Sequence, residues 1–166
     1  NKYLEIYNSS DIEIDLSGYA ILGNGNGGPF NDTLRFDANT ILASQGVYVI
    51  AHAEADPTIL AEADKVIANP FNNPEGDPDS YIVSFNGDDA RAIAKIEGSE
   101  FNVIDIIGTL SGGDPGNGWD VAGVADGTTN HTLIRKSSIT FGNSDWVSSA
   151  GTSADDSEWI VKDDLD

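Results

Sequence analysis

From Lys2 to Gly18 the chain alternates oily and wet positions. Leu4 and Ile6 point one way and Tyr3, Glu5 and Tyr7 the other. After the polar turn Asn8-Ser9-Ser10-Asp11, the residues Ile12, Ile14 and Leu16 share one face while Asp11, Glu13 and Asp15 share the opposite one. Period-two alternation of this kind predicts strands with one wet face. Two such strands cannot bury their apolar sides alone, so a second layer has to cover them.

Short extended segments are also predicted over 19–22, 33–36 and 40–42. Val47 to Ala51 is apolar on both sides, the pattern of a central strand covered on both faces. One helix is predicted, with Asp56 as cap and Pro57 at its first position, Ile59, Leu60 and Ala63 on one stripe, and an end near Lys65. Val66-Ile67 then packs or pairs. Residues 69–79 hold three of the six prolines and carry no periodicity, so they form a loop or insertion.

Tyr81 to Phe85, the turn Asn86-Gly87-Asp88-Asp89, and Ala90 to Ile96 predict a hairpin, because Asn-Gly tolerates positive φ in a two-residue turn. On its second strand Ala92, Ala94 and Ile96 face in, and Arg91 and Lys95 face out. Val103 to Ile107 is a further buried strand, and Asp105 within it needs a partner. A long Gly/Asp-rich loop covers 109–129. His131 to Lys136 returns to strand character, and Trp146-Val147 and Trp159-Ile160-Val161 are apolar anchors in a polar tail. Many short strands with close turn signals predict an all-β sandwich with one short helix in an insertion at 56–79.

Composition sharpens this picture. Of 166 residues, 28 are acidic and 8 basic, for a net charge of −20. Such a surface repels nucleic acid and anionic membrane, so neither direct nucleic-acid binding nor membrane insertion is expected. With no cysteine, disulfides and thiolate chemistry are excluded. The chain has no methionine and no signal peptide, and it starts at Asn1 inside a strand pattern. It therefore reads as a fragment of a longer polypeptide, with 1–166 as one domain.

Candidate chemistry is sparse. The two histidines, His52 and His131, lie at strand ends outside any nucleophile motif, where an ordinary hydrogen bond is expected. The carboxylate pairs Asp88-Asp89, Asp155-Asp156 and Asp163-Asp164 are expected at solvated turns. Calcium is the best chemical option, because it takes six to eight oxygens from carboxylates, amides and backbone carbonyls. Asp114, Asn117 and Asp120 offer such oxygens in one Gly-rich loop, without the spacing of an EF-hand, and 153–156 is a second candidate. The same residues are also ordinary turn formers, so no cofactor is required and Ca2+ is an option. Trp119, in the same loop, is the candidate for stacking on a sugar ligand, while Trp146 and Trp159 are expected to plug the ends of the sandwich.

Several stretches together resemble the lamin tail domain family. KYLEIYN is followed by DIEIDLSGYAI and TILASQGVYVIAH, then by FNGDDARAI, VIDIIG, GWDVAG, HTLIRK and DSEWIV. They occur in the family's order over nearly the whole chain, and the likeness is to its bacterial branch. The resemblance implies an immunoglobulin-like β-sandwich, and it implies an extracellular accessory module beside other domains of a secreted or surface protein. It carries no catalytic residues over. The family's usual short strand before KYLEIYN is missing, and 56–79 exceeds the compact version. The expected function is non-catalytic tethering, adhesion or spacing, with the neighbouring domains as partners. The alternatives are a calcium-dependent module for polysaccharide or a cell-surface component, and a phosphoester hydrolase using acidic residues.

Overall fold

The computed structural model describes residues 1–69 and 81–163. The opening alternation forms β1 (Tyr3–Tyr7), which pairs antiparallel with β6 (Val47–His52); β6 in turn pairs in parallel with β7 (Lys65–Ile67). A short ladder joins β2 (Ile14–Asp15) to β5 (Ile41–Leu42). The facing sheet has four antiparallel strands. Their spatial order is β4 (Asp32–Arg35), β3 (Tyr19–Gly23), β8 (Arg91–Glu97) and β9 (Glu100–Ile107).

Alternation sorts the side chains of β3 between two cores. Ile21 joins Leu34, Phe36, Leu42, Ile50 and Ile67 in the core between the sheets, against which Leu4, Ile6 and Ile93 pack. Ala20 and Leu22 face the other way and are buried with Ala94. The four-stranded sheet is thus covered on both faces. Its outer cover comes from the C-terminal third, where β10 (His131–Arg135) pairs with β11 (Trp159–Asp163) and α2 (Trp146–Ala150) precedes β11. Trp146, Ala150, Trp159 and Val121 share one buried cluster with Ala92 and Ile106. The Tyr3 side chain reaches Thr132 on β10, which is opposite Lys162 in the β10–β11 ladder, so β1 lies beside that ladder at one corner.

Several expectations are corrected. Ile12 is 70 % exposed, because the chain winds around buried Asn8. The Asn8 Nδ2 donates to the carbonyls of Ile12, Leu42 and Ala43, and pairing begins only at Ile14. Helix α1 (Pro57–Glu62) carries the predicted Asp56 cap but stops short and buries no residue. The backbone and carboxylate of Asp64 instead bond Val49, which draws the chain into β7. Residues 81–85 form no strand, although Ile82 and Val83 are fully buried. A second helix, α2, stands where only an apolar anchor was expected. Its cap, Asp145, accepts from the N–H groups of Val147 and Ser148. Val147 itself is exposed. Strand β6 is central in its sheet, as predicted, but Val47 is exposed and its outer face is only partly covered. The predicted loop at 69–79 lies, from residue 70 on, outside the described residues.

Candidate functional site

Arg91 was expected to face solvent and is instead 6 % exposed. Its Nε donates to the Ile82 carbonyl at 2.6 Å, Nη1 to the carbonyls of Asn24 and Ala90, and Nη2 to that of Tyr81. The guanidinium also lies 5.4 Å from the centre of the Phe85 ring. This explains the missing strand: the carbonyls of Tyr81 and Ile82 bond a buried cation rather than a neighbouring strand. Burial pushes the Arg91 pKa down to about 10, which leaves it charged at neutral pH.

A second polar group ties the C-terminal third to the β9 edge. Asp105 pairs through β8 with Ile93, on a row that faces the core between the sheets. It finds the partner its position demands: Oδ1 accepts from Arg135 Nη2 and from the N–H of Asn143. Arg135 also pairs with Glu158 and stacks 4.0 Å from the centre of a Trp159 ring. Glu158 accepts from Ser149 Oγ and Asn143 Nδ2, and Ser149 Oγ accepts from the Trp159 indole N–H. A bulge beside Ile93/Ala94 leaves Ile104 without a partner in this ladder. Next to it Gly142 is so close to the Ile104 carbonyl that a Cβ would sit 2.4 Å from the oxygen.

The residues proposed for calcium hold their own turns. Asp114 Oδ1 accepts from the Gly116 N–H, Asp120 Oδ1 accepts from the Asp126 N–H, and Asn117 Nδ2 reaches Asp126 at 3.4 Å. In the second candidate loop, Asp156 accepts from the backbone and hydroxyl groups of both Thr152 and Ser153, led by the two hydroxyls, and these bonds hold its carboxyl well below the ordinary range. Among the described residues, no three His, Cys, Asp or Glu side chains gather as a metal cage. Trp119 is half-buried, with one edge of its ring against Gly108, where a Cβ would come within 2.7 Å of it. Trp146 and Trp159 are buried and tilted against each other at 6.3 Å.

His52 Nδ1 accepts from the Glu54 N–H, and His131 Nδ1 bonds the Thr129 carbonyl. Asp88 departs from the solvated-turn expectation. It is 8 % exposed and its Oδ1 is buried without a hydrogen-bond partner. Burial first, and then the negative charges of Asp89 and Asp114, raise its pKa. Nothing in an Asn-Gly-Asp-Asp string separates this buried acid from a wet one; the burial comes from residues far away in sequence.

The lamin tail domain family model matches residues 1–109, two-thirds of the chain, ending just beyond β9. The chain belongs to the lamin tail domain family. Its β-strands and two short helices fit the immunoglobulin-like fold of a lamin tail domain, and both sheets of the sandwich lie within the match. The third layer, β10, α2 and β11, lies beyond the lamin tail match. No curated protein and no solved structure matches the chain. Among the described residues, no helix is long and apolar enough to cross a membrane.

Proposed function

We propose that this lamin tail domain is a non-catalytic accessory module of an extracellular or cell-surface protein, tethering neighbouring domains to a surface or polysaccharide. The observation that carries the reading is the use made of the reactive side chains. Arg91 holds four backbone carbonyls, Arg135 bridges two acids, and each histidine makes a local backbone bond. General acid–base work needs such groups aimed at a substrate position instead. Two depressions among the described residues are half-open: one of about 280 Å3 lies beside Val103, Leu110, Trp146 and Val147, and one of about 240 Å3 beside Lys2, His52 and Glu54.

A reporter protein fused to the chain, passed over insoluble polysaccharides and cell-envelope preparations, tests the reading. Retention of the fusion, absence of retention of the reporter alone, and no turnover of phosphoesters are expected. Turnover lost on changing a single carboxylate would replace the tether by a hydrolase. Retention that needs calcium would favour the calcium-dependent binding reading, which the unpartnered oxygen of Asp88 supports.

A further inference from the structure

Three loops converge at one end of the sandwich. The Gly27 N–H donates to the Asp88 carbonyl at 3.2 Å, the Asn26 N–H to Asp89 Oδ1 at 3.0 Å, and the Ser111 N–H to the Gly28 carbonyl at 3.3 Å. Gly27, at φ +64°, sits so close to the Gly113 carbonyl that a Cβ would lie 2.0 Å from its oxygen. No side chain fits there, and the backbone of 111–114 is drawn directly against 24–28. Asp88 is buried where these loops meet.

The charges acting on Asp88 are those of Asp89 and Asp114, both negative. Arg91 couples instead to Asp89 and Asp32, and its guanidinium hydrogens point at carbonyls. A buried carboxylate oxygen without a donor, beside two further carboxylates, is unfavourable unless a cation or a proton compensates it. We propose that this loop end binds a calcium ion, with Asp88 Oδ1 as a direct ligand and Asp89 and Asp114 supplying charge beside it. All the donors are oxygens, which selects a hard cation. Backbone carbonyls of the Gly-rich loops and water complete the set. Calcium accepts such irregular ligands, whereas magnesium demands a small, near-ideal octahedron. Three carboxylates not already closed into a cage give a weak site, with a dissociation constant of about 0.1–1 mM, the range of extracellular modules. The site is distinct from the Asp114–Asp120 loop and shares only Asp114 with it. It stands whether or not the tethering reading holds.

Calorimetric titration with calcium chloride, and thermal melting in about 10 mM calcium or magnesium, test the proposal. The chain is expected to bind calcium and to melt roughly 3–6 °C higher with it, with a smaller rise in magnesium. Asp88→Asn, which keeps the side-chain volume, is expected to abolish binding, and Asp120→Asn to leave it intact. Should Asp88→Asn fail to fold, Asp89→Asn serves in its place; it keeps an oxygen for the Asn26 N–H and is expected to weaken binding about ten-fold or more. No calcium response in the unaltered chain overturns the proposal. So does full binding by the Asp88 and Asp89 variants, or binding lost in Asp120→Asn alone, which would move the ion to the 114–120 loop.

Discussion

At the scale of single residues, Arg91 decides the most. Its planar fork reaches four carbonyls on three stretches of backbone, and a lysine offers one point charge with no matching geometry. Arg91→Lys leaves buried carbonyls without donors, and removing one side of a buried charged network costs about 3–5 kcal/mol. Urea unfolding should show a loss of that size, with the midpoint lowered and the slope unchanged. A loss under about 1 kcal/mol would mean that water replaces the guanidinium. Arg91 was illegible in the sequence for a definite reason. Alternation along β8 places it opposite Ala90 and Ala92, a position that reads as solvent-facing until residues 81–85 are known to fold over it.

At the scale of elements, the strands whose alternation is locally consistent were legible. β1 turns Leu4 and Ile6 inward as its pattern requires, and β10 lies where HTLIRK places it, whereas Trp159-Ile160-Val161, read only as an apolar anchor, opens strand β11. Asp105 announced that it needed a partner, but not which one, because Arg135 is thirty residues away. Helix α2 has five residues, too few for a periodic signal, and Asp145 was the only cue to it. The candidate calcium loop was legible as turn chemistry, and its acids do cap turns; the buried Asp88 was not, because burial is set by loops about sixty residues before and twenty-five after it.

The Arg135–Glu158 pair is where this scale makes its prediction. Both side chains are about four-fifths buried and each has further partners. Glu158→Ala should therefore cost about 2–4 kcal/mol. The loss should appear first as faster amide exchange in β10, β11 and α2, with β3 and β8 still protected. Uniform loss of protection across both sheets would show instead that the third layer and the sandwich open together.

At the scale of the whole molecule, the family match ends before the layer that covers the outer face of the central sheet. A chain cut after residue 109 keeps both sheets but loses Val121, Trp146, Ala150 and Trp159 from the cluster around Ala92 and Ile106. Deleting a buried tryptophan typically costs about 3–5 kcal/mol, and two of them approach the whole stability of a domain of this size, about 5–15 kcal/mol. The 1–109 fragment should bind a hydrophobic dye and aggregate, whereas 1–163 should not. A well-folded, monomeric 1–109 fragment would show that the third layer is an addition the sandwich does not need. Sequence reading could anticipate a tail anchored by tryptophans, since aromatic residues in polar surroundings seek cover. It could not say which face they cover, because Ala20, Ala92 and Ala94 keep much of the outer side of the sheet small, with Leu22 buried among them and Ile96 packed beside them.

The meeting of Tyr3 with Thr132, opposite Lys162, has a consequence for how such a unit can be connected. A body whose incoming and outgoing backbone share one corner can be grafted into a surface loop of a host without prying the host apart. It would hang there like a pendant from a single attachment point.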